Sequence, residues 1–371
     1  MAPLSPSRLV LVGGGHAHLE VLRRFALAPP AARLSVVLDS PFTAYSGMAP
    51  GVVSGRYRLA EALIDAASVA RRAGAEVIAG RLRGLDAAAR ELHLESGPAL
   101  SYDVASLNLG SSIASAELPG VAAHATPARP LGRLLAAVAG AGGATGIARR
   151  IVVVGGGAAG VELAFALARR QSASFGGVGV ALVHAGRRLV PERPVATGRC
   201  LATLARRRGI EVLHETRAVE AEAGLLRLDD GRELACDLLV WAAGARGNPA
   251  LAGSGLVLDP EGFALVRPSL QAVGHDEVFA SGDCASLAGR PALPKAGVHA
   301  VRQAPVLERN LRAWLEGRPL QSYRPQRDYL SLIDLSDATA LASKWVFSAR
   351  GRWAARLKEH IDRRFVARYA S

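Results

Sequence analysis

The chain contains the same short pattern twice. Residues 8–15 read Arg-Leu-Val-Leu-Val-Gly-Gly-Gly, and residues 150–157 read Arg-Ile-Val-Val-Val-Gly-Gly-Gly. In each copy an apolar run typical of a buried strand meets three glycines and then opens an amphipathic stretch. Such a turn lets the backbone approach a pyrophosphate closely, and the helix that follows offers free N–H groups to it. Two copies in one chain predict two dinucleotide sites and electron transfer between them.

The residues that follow the first glycine turn have the pattern of a doubly wound sheet. A helix is predicted over residues 17–28, ended by two prolines, and a second strand over residues 34–38. Asp39 ends that strand, where a carboxylate can accept both hydroxyls of a ribose; the alternative is a loop carboxylate. His18 stands where a third glycine or alanine is usual, which predicts a looser helix–strand contact or a side chain turned outward. The candidate phosphate contacts are Gly13, Gly15, His16 and Ala17.

The second glycine turn has glycine at all three required places, Gly155, Gly157 and Gly160. After its second strand, residues 180–183, the chain has His184 instead of an acidic residue, and Arg187 and Arg188 follow. A carboxylate there would favour NADH, whereas two guanidinium groups suit the 2′-phosphate of NADPH. The alternative, that both arginines are ordinary surface residues, leaves NADH open.

Composition and charge limit the classes of protein to which the chain can belong. The 371 residues suffice for two domains, and the formal charge is +13. All but three of the 45 basic residues are arginine, and they are scattered without interleaved aromatic residues. We therefore expect surface arginines and no nucleic-acid partner. The chain shows no signal-peptide pattern and no apolar run of about 18 residues, so we expect a cytoplasmic protein, at most peripheral on the inner membrane face. No metal site is expected.

Cysteine spacing bears on redox chemistry. Cys200, Cys236 and Cys284 form no CxxC or CxxxxC pair. The sequence therefore predicts no local redox dithiol, and it favours buried structural thiols. A pair formed over long range stays open.

Three further segments give a specific resemblance. They are residues 106–111 (Ser-Leu-Asn-Leu-Gly-Ser), 239–245 (Leu-Val-Trp-Ala-Ala-Gly-Ala) and 278–285 (Val-Phe-Ala-Ser-Gly-Asp-Cys-Ala). In order, they resemble the two crossover segments and the closing flavin motif of the two-dinucleotide-domain flavoprotein reductases, the pyridine nucleotide-disulfide oxidoreductase superfamily. With the two glycine turns, the resemblance covers about residues 8–312.

Within that superfamily the chain is similar to the branch of type II NADH dehydrogenases and sulfide:quinone oxidoreductases. It looks closest to FAD-binding proteins that also occur fused ahead of selenide, water dikinase. Residues 13–18, 41–51 and 294–303 carry this likeness. The likeness to these FAD-binding proteins implies that a histidine at position 18 is a trait of their subgroup. No dikinase domain is expected in this chain.

The resemblance implies an α/β fold with two Rossmann-like domains, the nicotinamide domain being inserted in the flavin domain. The expected boundaries are 1–120 and 245–318 for the FAD domain, 121–244 for the NAD(P)H domain, and 319–371 for a C-terminal segment. The implied cofactors are FAD and either NADPH or NADH.

The resemblance also implies residue roles. Asp283 would bond the ribityl chain of FAD, and the helix beginning near Gly297 would point its N-terminus at the flavin. Glu162 would lie near the nicotinamide–flavin contact; the alternative is a solvated helix carboxylate. Lys295 would stabilise reduced flavin or pair with a carboxylate. Residues 45–50, including Ser46, take the place of the cysteine pair of disulfide reductases. The remaining candidates are Gly110 and Gly282 for FAD and Gly244 for NAD(P)H.

The C-terminal segment differs in character. Residues 329–334 and 340–346 are predicted to pair as strands, and a basic helix follows. In that helix Trp353, Leu357, Ile361 and Phe365 recur at helical spacing. Quinone-reducing relatives dock on membranes through such helices, so a peripheral membrane contact is one expectation. Packing on its own domain or on the partner of a homodimer is the other.

The expected activity is hydride transfer from NAD(P)H to flavin, followed by electron transfer to a small-molecule acceptor without a dithiol. A quinone is the first acceptor considered, and a sulfur or selenium species is the second. A redox-sensing flavin module with a degenerate nicotinamide site is a further alternative, favoured by the absence of an acidic residue at His184.

Overall fold

The structure is a computed structural model that describes residues 6–113, 118–141, 150–172, 179–290 and 293–370. The elements up to residue 113 are β1 (Arg8–Val12), α1 (His16–Leu27), β2 (Arg33–Leu38), β3 (Phe42–Ala44), α2 (Ala49–Val53), β4 (Leu63–Asp65), α3 (Ala66–Arg72), β5 (Glu76–Ala79), β6 (Leu82–Asp86), β7 (Glu91–Leu94), β8 (Leu100–Ser101), β9 (Val104–Leu107) and β10 (Ser112–Ile113). Between residues 118 and 241 follow α4 (Val121–His124), β11 (Thr126–Pro127), α5 (Leu131–Gly140), β12 (Arg150–Val154), α6 (Ala158–Ser172), β13 (Gly179–Val183), α7 (Val195–Arg207), β14 (Ile210–Leu213), β15 (Ala218–Glu222), β16 (Leu225–Leu228), β17 (Glu233–Ala235) and β18 (Leu238–Trp241). The rest comprises β19 (Ala245–Arg246), β20 (Ala264–Val266), β21 (Gln271–Ala272), β22 (His275–Ala280), β23 (Ala285–Leu287), α8 (Gly297–Leu315), β24 (Ser331–Asp334), β25 (Ala340–Lys344), β26 (Phe347–Gly351) and α9 (Arg352–Ala367).

An eight-stranded sheet forms the first domain, in the order β23-β20-β21-β22-β9-β1-β2-β5. Strand β1 pairs in parallel with β2 and β9, and β9 pairs in parallel with β22. Helices α1 and α8 lie side by side on this domain. Leu9 and Leu11 of β1 are fully buried, and so are their neighbours in the strand. Strand β1 is therefore covered on both faces, which explains its continuous apolar sequence. The sheet takes its strands from two parts of the chain, before and after the second sheet.

A five-stranded parallel sheet forms the second domain, in the order β11-β18-β12-β13-β14. Strand β12 repeats the role of β1, since it lies between two parallel neighbours and leads into a glycine turn and a helix, α6. Both sheets are therefore doubly wound, and both glycine turns lie at the carboxyl ends of central strands.

The C-terminal segment forms an antiparallel sheet of β24, β25 and β26, followed by α9. The predicted strand pairing is confirmed, but the predicted apolar face of the helix is wrong. Helix α9 buries Ala354, Lys358, Asp362 and Phe365, whereas Trp353 is exposed. Two charged side chains thus face inward, because Lys358 bonds to Asp362 and to the Gly47 carbonyl of the first domain. Of the helices that the structure describes, none is long and apolar enough to cross a membrane.

Candidate active site

The first glycine turn is built so tightly that only glycine fits at two positions. Gly13 has a φ of +97°, and a Cβ there would lie 2.5 Å from the carbonyl oxygen of Asn108. A Cβ on Gly15 would lie 2.2 Å from the side-chain oxygen of the same residue. Strand β9 therefore presses against the turn, and the open side of the turn is left for a ligand.

Asn108 is a site residue that the sequence reasoning did not single out. Its side-chain oxygen accepts from the amides of Ala17 and His18, at 3.2 and 3.4 Å, and its amide group donates to the Ser281 carbonyl at 2.7 Å. It thereby caps α1 from another strand and ties this helix to the loop before Asp283. Its place directly after strand β9 was visible in the sequence, but this capping role depends on contacts 90 residues away.

His18 is fully buried, so the prediction of an outward side chain is wrong. Its Nδ1 donates to the carbonyl oxygen of Gly13 at 2.8 Å, and its Nε2 accepts from the hydroxyl of Ser106 at 2.9 Å. Burial lowers the pKa of His18 to about 4, so the ring is neutral at pH 7. The imidazole thus joins the turn to β9 by hydrogen bonds where a glycine would allow direct packing.

His16 lies at the point where the first turn meets the start of α8. Its Nδ1 is 3.7 Å from the position that a Cβ on Gly297 would take. Its ring centroid lies 5.4 Å from those of Tyr45 and Phe365, which stack on each other at 4.4 Å. Burial lowers the pKa of His16 to about 4, against the opposite effect of Asp283. The structure therefore brings the predicted residues His16, Asp283 and Gly297 together.

Asp283 is mostly buried and accepts from Arg129 at 3.0 Å. Arg129 belongs to the segment between β11 and α5 of the second domain, so this pair joins the two domains. Before it, Gly282 has a φ of +67° and its amide donates to Gln303 at 2.7 Å. These contacts fix the direction of the Asp283 carboxylate.

The other predicted flavin contacts lie around the same turn. Asp39 follows the carboxyl end of β2, exposed and 3.9 Å from Arg81. Ser46 opens the short 3₁₀ turn Ser46–Met48, and Gly110 follows β9 with a φ of +71°. Ala17 uses its amide within the protein, so its contact with a cofactor stays a prediction.

The second glycine turn follows the predicted pattern. Gly155 has a φ of +126°, and a Cβ on Gly160 would lie 1.9 Å from the Gly155 carbonyl oxygen. The third glycine therefore lets α6 pack directly on the turn, whereas Gly157 has open space around it. Gly244 follows β18 at the same edge, with a φ of +57°.

The residues predicted to select the nucleotide have partners within the protein. His184 lies against Gly156, whose Cβ would be 2.3 Å from its ring, and its Nε2 donates to the Arg188 carbonyl at 2.7 Å. Arg187 pairs with Glu215 at 3.0 Å, and the guanidinium of Arg188 donates to Pro191. Glu215, beyond the end of β14, was not anticipated because it is distant in sequence. A preference for NADPH stays a prediction.

A buried cluster of charges connects the second domain, the C-terminal segment and the turn at residues 45–50. Glu162 on α6 accepts from the backbone amide of Asp334 at 2.8 Å. Lys358 on α9 donates to the Gly47 carbonyl at 2.6 Å and to Asp362 at 2.8 Å. The three side chains Glu162, Lys358 and Asp362 are called here the acid–lysine cluster; Lys358 and Asp362 are buried, and Glu162 is half-buried.

Burial favours the protonated form of both carboxyl groups in the acid–lysine cluster. Burial raises the pKa of Glu162 to about 7, although the charge of Lys358 acts in the opposite direction. Burial also raises the pKa of Asp362, while the hydrogen bonds from Lys358 and Tyr45 lower it. Glu162 is half-buried and bonded to the Asp334 amide, so it is not freely solvated, and its place near the nicotinamide–flavin contact stays a prediction. Lys358 and Asp362 were missed because a polar pair in a basic helix looks like part of a solvated face.

Lys295 lies outside the acid–lysine cluster. Its Nζ donates to the Ala285 carbonyl at 2.5 Å and lies 3.6 Å from the centre of the Phe263 ring. Burial lowers its pKa. These contacts describe a packing role, and a role at the flavin stays a prediction.

The cysteines lie in three different hydrophobic clusters and are free thiols. The Cys284 thiol donates to the carbonyls of Leu107 and Ser281, and burial raises its pKa. Burial raises the pKa of Cys236 to about 11. Neither group is a thiolate near neutral pH.

Comparison with known proteins gives the family. The model of the pyridine nucleotide-disulphide oxidoreductases matches residues 7–304. Among curated relatives, type II NADH:quinone oxidoreductase of Haemophilus influenzae is 35% identical over 206 residues, which cover 52% of this chain and 46% of that protein. The NADH dehydrogenase-like protein YutJ of Bacillus subtilis is 22% identical over 325 residues, covering 86% and 87%. The alignment thus spans about half the length of the first relative.

Solved structures share the fold over nearly the whole chain. The sulfide:quinone oxidoreductase of Aquifex aeolicus superposes with a TM-score of 0.80 at 16% identity, covering 98% of this chain and 91% of that one. NDH2 of Plasmodium falciparum in complex with NADH gives a TM-score of 0.81 at 12% identity, covering 98% and 97%. At such identities the likeness concerns the fold.

Proposed function

The chain belongs to the pyridine nucleotide-disulphide oxidoreductase family, and from this we propose that it is an FAD-dependent oxidoreductase that takes a hydride from NADH or NADPH and delivers electrons to a quinone. The observation that carries the proposal is the meeting of three parts at residues 45–50. These are the first glycine turn with α8, helix α6 of the second turn, and the acid–lysine cluster. The names of the Haemophilus and Plasmodium proteins, which mention NADH or quinone, support it.

The residues around the first turn fit FAD. Glycine at positions 13 and 15 keeps side chains off the first turn, so a pyrophosphate could approach the backbone there, and Asp283, held by Arg129, would accept from hydroxyl groups. The N-terminus of α8 at Gly297 favours negative charge beside it. When bound, FAD supplies acceptance of a hydride from the nicotinamide and transfer of electrons to the acceptor.

The acid–lysine cluster supports a quinone as the electron acceptor, because the reduction of a quinone consumes protons. NAD(P)H and one further proton convert a quinone to the quinol and NAD(P)⁺. Glu162, with a pKa of about 7, holds a proton that it can give up near neutral pH. Lys358 fixes Asp362 and the Gly47 carbonyl, so this chain positions a proton source beside residues 45–50.

The cysteines argue against a sulfur or selenium acceptor that needs a thiolate. Cys236 and Cys284 have raised pKa values and bury their sulfur atoms in separate cores. No feature of the described residues favours that acceptor over a quinone. The second glycine turn has the shape that a nucleotide needs, which argues against a degenerate nicotinamide site.

An exposed apolar surface on the C-terminal segment supports contact with the cytoplasmic face of a membrane. The turn between β25 and β26 exposes Trp345 by 67% and Phe347 by 75%, and Trp353 on α9 is 53% exposed. Arg352, next to Trp353 in the sequence, is exposed and would face anionic lipid headgroups. The same surface could instead join two copies of the chain, so vesicle sedimentation and the oligomeric state in solution must both be measured.

Stopped-flow spectroscopy under anaerobic conditions tests the proposal. The FAD-loaded protein is mixed with NADH or NADPH, and flavin bleaching is followed at its visible absorbance. The reduced protein is then mixed with a soluble quinone. We expect bleaching by at least one nucleotide and recovery of the absorbance with the quinone. Failure of both nucleotides would favour a redox-sensing module, and recovery with polysulfide alone would favour a sulfur acceptor.

A further inference from the structure

A groove lies on the first domain between α1, α8 and the end of the chain, and it has a volume of about 390 Å³. Its polar side chains are one carboxylate, Glu20, and four guanidinium groups, those of Arg24, Arg302, Arg324 and Arg368. We call this feature the arginine groove. None of these residues belongs to the glycine turns or to the acid–lysine cluster.

The arginine groove contains more positive than negative charge. Burial opposes ionisation of Glu20, but hydrogen bonds from Arg23 and Arg24 lower its pKa. Glu20 lies 2.9 Å from Arg24 and 3.9 Å from Arg368, so one carboxylate serves both. Within the described ranges of the chain, neither Arg302 nor Arg324 has a carboxylate within 4.0 Å, and Arg302 contacts the neutral side chain of Gln326. An anion would therefore be attracted to this side of the groove.

The floor of the arginine groove is largely apolar. Val301, Pro305 and Val306 of α8 line it together with the ring of Tyr323, whose hydroxyl is held by His299 at 3.1 Å. The groove thus offers an apolar floor and a cationic rim.

We propose that the arginine groove binds a small diphosphate ester, of which a nucleoside diphosphate is a representative. Two adjacent phosphates would match the guanidinium groups of Arg302 and Arg324, which lack a carboxylate partner among the described residues and could recognise phosphate by paired N–H donors. The organic part would lie on the apolar floor. A volume of about 390 Å³ lies within the range of small-molecule sites.

The ligand of the arginine groove would lie outside the first glycine turn, because aromatic side chains separate the two places. The ring of Phe365 contacts that of His16 at 5.4 Å and that of Tyr369 at 5.2 Å. The Tyr369 hydroxyl in turn donates to Glu20 at 3.4 Å. Glu20 of the groove is thus connected to the first glycine turn through these two rings, which lie between them.

Calorimetric titration of the full, FAD-loaded chain tests the site with ADP, pyrophosphate and adenosine as probes. We expect ADP and pyrophosphate to bind and adenosine to bind at least tenfold more weakly than ADP. Arg302→Ala and Arg324→Ala should each weaken ADP binding at least tenfold, which corresponds to about 1.4 kcal/mol. Arg309→Ala is the matched control, because this exposed arginine on α8 bonds to Gln321 outside the groove and should leave binding unchanged.

The second glycine turn is a competing site for ADP, and two arms of the experiment distinguish it. Saturating NADH occupies the second glycine turn and should leave one ADP site per chain, and ADP binding at that remaining site should be at least tenfold weaker in Arg302→Ala and in Arg324→Ala. If NADH abolishes ADP binding, if the ADP site that remains under NADH is unchanged in both groove variants, or if adenosine binds as tightly as ADP, the proposal is wrong. Retained flavin absorbance in the groove variants shows that they are folded, so absence of ADP binding to the wild type also overturns it. Turnover is not measured, so this result is independent of the proposed oxidoreductase activity.

Discussion

Replacing Glu162 by glutamine should change how stability depends on pH. Burial raises the pKa of Glu162 from 4.5 to about 7 in the folded protein. One pKa unit corresponds to about 1.4 kcal/mol, so ionising this carboxyl costs the folded state about 3 kcal/mol more than it costs the unfolded chain. Glutamine keeps an oxygen that can accept from the Asp334 amide and removes the ionisation. The variant therefore avoids this cost.

The direction in which stability changes with pH follows from the raised pKa of Glu162. The folded state binds the proton of Glu162 more tightly than the unfolded chain does, so its stabilising effect is complete below pH 4.5 and is lost as the pH rises to about 7. Denaturant unfolding of the FAD-loaded protein at pH 5 and pH 8 measures this. Relative to the wild type, Glu162→Gln should gain up to about 3 kcal/mol between the two pH values. The control is Glu95→Gln, at an exposed residue near Arg81.

Activity gives an independent measurement of the same residue. If Glu162 supplies a proton to the acceptor, quinone-dependent reoxidation in the wild type should slow as the pH rises above about 7. In Glu162→Gln, reoxidation should be slower by about a hundredfold and lose this pH dependence, while reduction by the nucleotide keeps its rate. A variant whose stability difference is the same at pH 5 and pH 8, and whose reoxidation keeps the wild-type pH profile, would refute the reasoning.

Three further predictions concern the cofactor, the thiols and the nucleotide. Asp283→Ala should weaken FAD retention by at least tenfold, because a charge-assisted hydrogen bond contributes about 1.5–3 kcal/mol; dialysis followed by flavin absorbance measures this, and full retention would contradict the assigned contact. Serine at all three cysteine positions should leave flavin reduction and quinone-dependent reoxidation within about threefold of the wild type, whereas a loss above about a hundredfold, near 2.7 kcal/mol, would show that a thiol carries electrons. Glu215→Ala should release Arg187 for the 2′-phosphate and lower the Michaelis constant for NADPH but not for NADH; equal changes for both nucleotides would show that this pair does not face the 2′ position.

The amino-acid sequence determined the two glycine turns and the strands that lead into them. Gly13 and Gly155 need a positive φ, and Gly160 needs the absence of a side chain, so the requirement is visible in the residue type itself. Buried parallel strands such as β1 and β12 are apolar on both faces and are equally visible. For these reasons the α/β class and the family were predictable without coordinates.

Only the tertiary structure decided which face of α9 is buried and where His18 points. Spacing predicted an apolar buried stripe that includes Trp353, but the helix buries Lys358 and Asp362. Their burial is tolerated because each has a charged or polar partner, and Lys358 bonds a carbonyl 311 residues away in the chain. The inward side chain of His18 likewise depends on Ser106 of another strand.

The residues of the candidate site also fall into two groups, those predictable from the sequence and those that only the fold brings together. The sequence identified Asp283, Glu162 and the glycines, since each lies in a local pattern with a known geometry. It did not identify Asn108, Lys358 or Glu215, because their roles arise from partners brought together by the fold. A residue's conformational needs are local and can be read in one segment, whereas its charge, burial and partners are set by the segments packed around it.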